Sequence, residues 1–253
     1  MDERKRHPKL TVVIPVYNER PTIEELLQRV QATDIDKEII IVDDGSTDGT
    51  REFLQELSAC TENNLAQTTL PQTGLHLRTD NIRVFFLKNN RGKGAALRRG
   101  FEEAFGEIVL VQDADLEYDP RDYHALLDPI TRGMADVVFG SRFLGGPHRV
   151  LFFWHFVGNK LLTTLSNIFT NLNLSDVWTC YKAFRRDVLC QITLTQDRFG
   201  FEPEVTAKVA KHCWRVYEVP ISYWGRTYNE GKKITWKDGL KGIWYTIRYR
   251  FFN

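Results

Sequence analysis

Two aspartates, Asp113 and Asp115, stand one residue apart at the end of an apolar run, Ile108–Val111. Carboxylates this close together repel each other unless a cation lies between or beside them. Ligands that offer only oxygen suit Mg²⁺ or Mn²⁺, and a metal held this way keeps positions free for substrate phosphates. The spacing therefore predicts a metal and phosphate site, and the alternative is an aspartate-rich turn without a ligand.

The residues before these aspartates indicate where the site lies. A short run of apolar, β-prone residues predicts a strand that is buried on both faces of a parallel sheet. The side chains that follow such a strand lie at the carboxyl edge of the sheet, where open α/β folds bind their ligands. Asp113 and Asp115 are therefore predicted at that edge.

Two other apolar runs also end in polar residues. Leu10–Glu19 passes from aliphatic residues through Pro15, which cannot donate a sheet hydrogen bond and so marks where the strand leaves the sheet. Ile39–Thr50 passes from aliphatic residues to Asp43 and Asp44. Three predicted strands thus bring acidic or amide groups to one edge, and core packing gives no reason for that pattern.

Strand and helix patterns alternate as far as residue 140, which predicts a parallel α/β sheet. The predicted strands cover residues 10–16, 38–43, 82–87, 107–112 and 136–140. The predicted helices cover residues 21–31, 48–59, 93–105 and 121–132. Ser46 or Thr47 is expected to cap the second helix, which begins near Asp48. Residues 61–80 are polar and predict a surface insertion.

The sequence changes character after Gly145-Gly146-Pro147. The predicted helix 151–170 carries an apolar stripe of Trp154, Val157, Leu161, Leu165 and Ile168. Such a stripe indicates either a core helix or a helix that lies on a membrane surface. Residues 199–212 predict a turn and a helix with Pro203 in its first turn. The aromatic and basic tail 239–253 suits an interfacial helix or one that docks on the domain.

The composition is that of an ordinary globular protein, and 253 residues suit one large α/β domain. The charge is divided along the chain. Residues 141–253 hold 17 Lys and Arg against 8 Asp and Glu, whereas the remainder holds 17 against 25. An acidic part suits a metal and a basic part suits phosphates or an anionic membrane, with merely uneven surface charge as the alternative.

The four cysteines, Cys60, Cys180, Cys190 and Cys213, lack the close spacing of a metal site. They are expected to be free, buried thiols in a reducing compartment. The first residues have no apolar core, and no apolar run approaches the roughly 18 residues that a membrane-spanning helix needs. Neither a signal peptide nor a membrane-spanning helix is therefore expected.

Five motifs stand in order along the chain, Val13–Glu19, Val42–Thr50, Asn89–Ala95, Asp113–Asp115 and Gly140–Phe143. In this order they resemble the motifs of family 2 glycosyltransferases of the GT-A fold. Two further segments, Ser175–Arg185 and Glu218–Arg226, look most like those of polyprenyl-phosphate sugar synthases of the dolichol-phosphate mannose synthase type. The resemblance covers residues 9–230 and implies a single GT-A domain with a Rossmann-like sheet, followed by C-terminal amphipathic helices.

The resemblance implies a nucleotide-sugar site at the sheet edge. The side chains expected to line the base and ribose pocket are Pro15, Tyr17, Glu19 and Asp44. Asp113, with Ala114, would contact the nucleoside side, and Asp115 would bind the metal on the pyrophosphate. Glu117 would complete the coordination, although relatives often carry Gln there, and the alternative is a solvated loop residue.

Basic residues near this edge suit the phosphates. Lys93 lies in the glycine-flanked loop Arg91–Gly94, where small residues let the backbone approach a ligand, and a helix-surface salt bridge is the alternative. The loop lacks the Gly-x₄-Gly-Lys-Ser/Thr spacing of a P-loop. Arg142 follows a strand at the same edge and is expected to grip phosphate oxygens with two parallel bonds.

A third group of basic residues, Arg226, Lys232 and Lys233, occupies a glycine-bounded loop suited to an acceptor phosphate, with a solvated basic loop as the alternative. A polyprenyl phosphate is already an anion near pH 7 and needs no catalytic base, whereas a sugar hydroxyl needs one. Catalysis then requires the alignment of two anions by a metal and by basic side chains. Asp115, Arg142 and Arg226 are therefore the predicted catalytic residues.

The resulting hypothesis is an inverting, Mg²⁺- or Mn²⁺-dependent enzyme that moves mannose or glucose from a nucleotide sugar to a dolichyl or undecaprenyl phosphate. Residues 9–145 would bind the donor, 146–235 the acceptor, and 236–253 would form a basic amphipathic tail. The expected place is the cytoplasmic face of a membrane, peripherally bound, with or without a separate anchoring subunit and without nucleic acid. The open alternatives are a transferase for a soluble sugar or glycan and a non-catalytic nucleotide-sugar-binding subunit.

Overall fold

Strands and helices alternate along the first part of the chain, as the sequence predicts, and build a seven-stranded sheet. The structure is a computed structural model and describes residues 8–62, 67–69, 76–145, 148–150, 152–198, 200–226 and 236–252. The strands in this range are β1 (Leu10–Val16), β2 (Lys37–Asp43), β3 (Gln67–Thr69), β4 (His76–Arg78), β5 (Ile82–Phe86), β6 (Ile108–Val111), β7 (Val137–Ser141), β8 (Lys182–Arg185) and β9 (Val216–Pro220). The helices are α1 (Ile23–Gln31), α2 (Thr50–Glu62), α3 (Lys93–Glu102), α4 (Tyr123–Thr131, preceded by a 3₁₀-helix at Pro120–Asp122), α5 (Phe153–Thr170), α6 (Arg186–Leu189), α7 (Phe201–Lys211) and α8 (Trp236–Phe251).

The order of strands in the sheet is β5-β2-β1-β6-β8-β7-β9. Neighbouring strands are parallel except at β8, which runs antiparallel to both β6 and β7. The predicted α/β domain with a mostly parallel, Rossmann-like sheet is therefore confirmed. The chain moves outward from β1 in one direction through β2 and β5, and then returns to the other side of β1 at β6. Ligands of such folds bind at this reversal, beyond the carboxyl ends of the strands.

A crevice opens between β1 and β6 at their carboxyl ends. β1 pairs with β2 as far as Val16, but it pairs with β6 only as far as Val13. Pro15 lies in the stretch that β6 no longer covers. The prediction that the strand leaves the sheet at Pro15 is therefore correct on the β6 side and wrong on the β2 side.

The side chains within the central strands are buried in the core. All four residues of β6 are buried, as are Ile39–Val42 of β2. Branched side chains of this kind fit the pleated, two-sided environment, and each contributes about 1.5–3 kcal/mol when it leaves water. Chemistry is consequently left to the residues that follow the strands.

The start of α2 differs from the prediction. The helix begins at Thr50, whose backbone N–H donates to Asp48 Oδ1 over 3.1 Å, so Asp48 supplies the capping carboxylate. Ser46 Oγ instead accepts a hydrogen bond from Asn18 N, and Thr47 N donates to Asn18 Oδ1. The prediction of Ser46 or Thr47 as the cap is wrong, because both residues fasten this loop to the one that follows β1.

The β3–β4 hairpin and β8 are among the strands that the sequence prediction lacks. The predicted insertion 61–80 contains the antiparallel hairpin β3–β4, in which Leu77 is buried, and its residues 63–66 and 70–75 lie outside the described ranges. β8 has no apolar run to reveal it, because it begins and ends with the basic residues Lys182 and Arg185. Lys182 is nevertheless buried and donates from Nζ to the carbonyl oxygens of Val177 and Thr179.

Helix α5 turns its polar side inward. Its buried residues are Thr163, Ser166 and Thr170. Of its predicted apolar stripe, Trp154 is 77%, Leu161 60% and Ile168 67% exposed, whereas Val157 and Leu165 are half-buried. The core-helix interpretation of this stripe is therefore wrong. α8 packs against α5 and α7, and within the described residues no helix is long and apolar enough to cross a membrane.

Candidate active site

Three carboxylates from two loops meet one guanidinium at the β1–β6 crevice. Glu19 follows β1, Asp115 and Glu117 follow β6, and Arg226 comes from the segment after β9. Arg226 Nη2 lies 2.9 Å from Asp115 Oδ2, Nη1 lies 3.4 Å from Glu19 Oε2, and Nε lies 3.5 Å from Glu117 Oε1. We call Glu19, Asp115 and Glu117 the acidic cluster. The structure thus brings together four of the residues that the sequence selected.

A tight turn sets the two carboxylates after β6 side by side. Leu116 has a φ of +61°, a left-handed conformation that is uncommon for a residue with a side chain. In this turn Glu117 N donates to Asp115 Oδ1 over 3.2 Å. Burial, together with the carboxylates of Asp113 and Glu117, raises the pKa of Asp115 to about 7, and the Arg226 guanidinium opposes that rise. Ionisation of Asp115 is therefore less favourable than that of an ordinary carboxyl group, and a cation beside it would favour the anionic form.

Glu117 fastens the segment that carries Arg226. Its Oε1 accepts from Arg226 N over 2.8 Å, and its Oε2 accepts from the Tyr223 hydroxyl over 3.1 Å. Its backbone carbonyl accepts from Trp224 N. The solvated-loop interpretation of Glu117 is therefore wrong, and its predicted part in metal coordination remains a prediction.

Asp113 is paired with a half-buried lysine. Lys93 Nζ lies 2.8 Å from Asp113 Oδ1 and 3.0 Å from Glu202 Oε1 at the start of α7. Burial alone would lower the pKa of Lys93, but the two carboxylates raise it well above the ordinary value, so the ammonium stays charged. The helix-surface salt bridge is wrong for Lys93, since it lies between two buried or half-buried carboxylates. In this structure Lys93 sits beneath the crevice as the partner of Asp113.

The glycines beside Lys93 allow the backbone before α7 to pack closely against this loop. A Cβ on Gly92 would lie 2.4 Å from Asp197 O, and one on Gly94 would lie 2.1 Å from Gln196 O. The segment before α7 therefore occupies the space that the sequence assigned to an approaching ligand. Asp44 fixes the same loop, because its two oxygens accept from Arg91 N over 2.8 Å and from Gly92 N over 2.7 Å. Burial raises the pKa of Asp44 despite these bonds.

Arg142 follows β7 and makes a bidentate pair with Asp176. Its Nε and Nη2 donate to the two oxygens of that buried carboxylate over 2.7 and 2.8 Å. Burial would raise the pKa of Asp176, but the guanidinium lowers it. Arg142 also lies over the Tyr223 ring, 5.0 Å from its centroid. The hydroxyl of Tyr223 bonds to Glu117, so Arg142 lies near the acidic cluster.

The family model described as glycosyl transferase family 2 matches residues 11–193, which is more than half of the chain and runs from β1 to α6. The chain belongs to glycosyl transferase family 2. The matched range contains Asp113, Asp115 and Glu117, and it ends before α7 and Arg226.

Curated relatives of this chain include a polyprenol monophosphomannose synthase from Mycolicibacterium smegmatis, which is 32% identical over 87% of this chain and 79% of that protein. The dolichol-phosphate mannosyltransferase of Pyrococcus furiosus is 30% identical over 88% of this chain and 59% of that protein. The glycosyltransferase AglJ of Haloferax volcanii is 28% identical over 85% and 63%. The chain thus spans less than two thirds of the last two relatives.

Among solved structures, the glucosyl-3-phosphoglycerate synthase of Mycobacterium tuberculosis, in complex with Mn²⁺, uridine diphosphate and glucosyl-3-phosphoglycerate, superposes with a TM-score of 0.67. The alignment covers 96% of this chain and 80% of that one at 19% identity. The likeness confirms the predicted GT-A architecture of this family 2 glycosyltransferase.

The donor atoms of the crevice suit a divalent ion that shares its shell with substrate. Asp113 and Asp115 offer oxygen alone, and the described residues contain no group of three His, Cys, Asp or Glu side chains arranged around an ion. Proteins typically bind Mg²⁺ through one or two carboxylates, with phosphate oxygens and water in the remaining positions. The residues present therefore fit such an ion, and Asp115 is the side chain that would hold it.

The remaining predicted site residues lie in different surroundings. Tyr17 is exposed and Ala114 is buried, on opposite sides of the crevice where β1 and β6 end. Lys232 and Lys233 lie outside the described residues. Sequence reasoning missed Glu202 and Asp176, the partners of Lys93 and Arg142. Both stand in segments that the sequence marks, directly before Pro203 and within Ser175–Arg185, but nothing in either segment indicates the residue that each would contact.

Proposed function

We propose that this glycosyltransferase moves a hexose, with inversion, from a nucleotide sugar to a polyprenyl phosphate. The observation that carries the proposal is that the carboxylates at the crevice are engaged, Asp113 by Lys93 and Asp115 by Arg226. A hydroxyl acceptor needs a carboxylate ready to take its proton, whereas a lipid phosphate is already an anion. The pairing supports a phosphate acceptor, and the names of two relatives agree with it.

The donor would lie across the β1–β6 crevice. Its base and ribose would contact the side chains of Pro15, Tyr17, Glu19 and Asp44. Mg²⁺ or Mn²⁺ on Asp115, with Glu117 beside it, would neutralise the charge that develops on the departing diphosphate. Mannose is the sugar that the names of two relatives favour, so GDP-mannose is the proposed donor and UDP-glucose is the alternative.

The acceptor phosphate would enter from the side of the segment after β9. Arg226 leads this segment, and Lys232 and Lys233 follow it in sequence. Arg142 would support the phosphate from beside Tyr223, sharing its guanidinium with Asp176. These cations would suppress the repulsion between the two reacting anions.

The protein would meet its lipid substrate at a membrane surface. Phe153, Trp154 and Phe156 at the start of α5 are exposed, and so are Trp244 and Phe251 of α8. Aromatic residues beside a basic half of the chain are typical of peripheral binding to anionic lipid. Binding at the cytoplasmic face, with or without a separate anchoring subunit, belongs to the same proposal.

The test is transfer from labelled GDP-mannose and UDP-glucose to dolichyl or undecaprenyl phosphate, with Asp115→Asn as the variant. We expect the variant to lose about a hundredfold or more of the transfer rate while its circular dichroism stays unchanged. Asp128→Asn, which removes an exposed carboxylate on α4, should leave transfer intact. Transfer that survives both Asp115→Asn and EDTA would contradict the metal role. Faster transfer to a sugar hydroxyl than to lipid phosphate would establish the alternative acceptor class.

A further inference from the structure

Arg226 lies where Asp115 would receive a divalent ion. Its guanidinium contacts both oxygens of Glu19 and one oxygen each of Asp115 and Glu117. We propose that Arg226 is the resident cation of the cluster and that a divalent ion must displace it from Asp115 before the site is loaded. This proposal rests on the proposed metal dependence.

Both oxygens of Asp115 have donors in this structure. Oδ2 accepts from Arg226 Nη2 over 2.9 Å, and Oδ1 accepts from Glu117 N over 3.2 Å. Mg²⁺ binds oxygen at about 2.0–2.1 Å, so an ion on Oδ2 would stand directly against the guanidinium. Two cations at that separation repel strongly where water is largely excluded. Arg226 and the ion therefore exclude each other at this oxygen.

The hold on Arg226 is loose compared with another pair in the same protein. Arg142 contacts Asp176 in the bidentate manner, over 2.7 and 2.8 Å. Arg226 has one contact of 2.9 Å, whereas its two contacts with Glu19 are 3.4 and 3.5 Å long and its contact with Glu117 is 3.5 Å long. Its buried Nε makes no hydrogen bond among the described residues. Such a guanidinium can be exchanged, because most of its donors are poorly satisfied.

The backbone of Arg226 would keep its place during the exchange. Its N–H is bound to Glu117 Oε1 over 2.8 Å, and the Tyr223 hydroxyl is bound to the other oxygen. Only the side chain has to leave Asp115. Loading of the ion would then free a guanidinium at the crevice for an anion, which couples the two events reciprocally.

The first experiment measures Mn²⁺ affinity from the free-ion signal in electron paramagnetic resonance, without donor or acceptor. We expect Arg226→Gln to bind Mn²⁺ about fivefold or more tightly than the unaltered protein. Arg149→Gln removes the same charge from a side chain that contacts Gly225 O, and it should shift the affinity less than twofold, by about 0.4 kcal/mol at most. Asp115→Asn should lose Mn²⁺ binding.

Equal affinities for Arg226→Gln and the unaltered protein, with loss in Asp115→Asn, would overturn the exchange and keep the metal site. Equal gains in Arg226→Gln and Arg149→Gln would also overturn it, since charge alone would then explain them. No Mn²⁺ binding that depends on Asp115 would overturn the proposed metal site and the exchange together.

A second experiment follows the side chain itself. Phenylglyoxal modifies an arginine only when its guanidinium is accessible, so we expect Mn²⁺ to accelerate the modification of Arg226 about fivefold or more in the unaltered protein, as measured by mass spectrometry. Modification of the other arginines is the internal control, and Asp115→Asn should show no acceleration. A modification rate of Arg226 that saturating Mn²⁺ leaves unchanged would overturn the proposal.

Discussion

Arg226 joins parts of the chain that are far apart in sequence. Its side chain contacts Glu19 and Asp115, 207 and 111 residues away, and its backbone contacts Glu117. Under the proposed function, Arg226 would serve the donor through its carboxylate partners and the acceptor through the segment after β9. Its two roles can be separated by experiment.

We predict that Arg226→Ala impairs transfer to lipid phosphate much more than donor binding. The donor keeps its metal ligand at Asp115, whereas the acceptor phosphate loses a charge-assisted bond worth a factor of about ten to a hundred. The measurement is kcat/KM for the lipid against the Kd of the nucleotide sugar in Mn²⁺. Equal losses in both would assign Arg226 to the donor site instead.

At the scale of elements, Asp136 holds three strands together at one end of the sheet. It precedes β7 and accepts from Arg215, which precedes β9, over 2.8 and 2.9 Å. It also accepts from Arg185 at the end of β8 over 2.9 Å. The Arg215 guanidinium in particular lowers the pKa of Asp136 well below its usual range.

We predict that Asp136→Asn lowers the free energy of unfolding at pH 7 by about 1–3 kcal/mol. A lowered folded-state pKa contributes stability above the unfolded value of about 3.9, and that contribution is lost as the pH falls through the folded value. The difference between the two proteins should therefore shrink below about pH 4. Urea denaturation at pH 7 and pH 3.5 measures it, with Asp128→Asn as the exposed control. A difference that does not change with pH would contradict this explanation.

The loop before α3 gives a second prediction at this scale. Gly94→Ala would place a Cβ 2.1 Å from Gln196 O, so one backbone has to move and the contact with the segment before α7 is lost. We expect a loss of about 2 kcal/mol or more in unfolding free energy, as overpacking typically costs 1–3 kcal/mol. Gly158→Ala in α5 is the matched control, because no atom lies within 4 Å of its added Cβ, and it should stabilise slightly. Equal melting temperatures for both variants would show that the close approach is not needed.

The sequence places the residues that end the central strands, but it does not place contacts between distant segments. Asp113 and Asp115 could be placed because an apolar run precedes them and parallel strands end at one edge. β8 could not be placed, since Lys182 is buried through carbonyl partners that no local pattern indicates. The glycines of Arg91–Gly94 were recognisable as sites of close approach, but the sequence cannot tell a ligand from Gln196 and Asp197. Pairings such as Lys93 with Glu202 join residues 109 positions apart and depend on the finished fold.

At the scale of the whole molecule, exposed aromatic residues and a basic C-terminal half coincide. Trp154 and Leu161 of α5 project from the surface, and residues 141–253 carry an excess of nine positive charges. Apolar side chains of this size can enter the boundary between headgroups and acyl chains, while the charge attracts anionic lipid.

We predict that Trp154→Ser combined with Leu161→Ser weakens binding to anionic vesicles about tenfold or more, because each side chain loses its transfer into lipid. Vesicle flotation at low salt measures the bound fraction. Tyr217→Ser on β9 removes another exposed aromatic residue and should leave binding unchanged. If the unaltered protein stays in the soluble fraction, or if both variants bind equally, α5 is not the membrane contact.

The inward hydroxyl groups of α5 have a practical consequence. Thr163 Oγ1 accepts from Val177 N and Asn167 Nδ2 donates to Leu174 O, so polar contacts join α5 to the segment before β8 and leave its aromatic rings exposed in the folded state. We therefore expect the correctly folded molecule to adsorb to air bubbles, plastic and detergent micelles. Purified protein is therefore expected to be lost from detergent-free buffer even when it is correctly folded, and a change of refolding conditions would not prevent the loss.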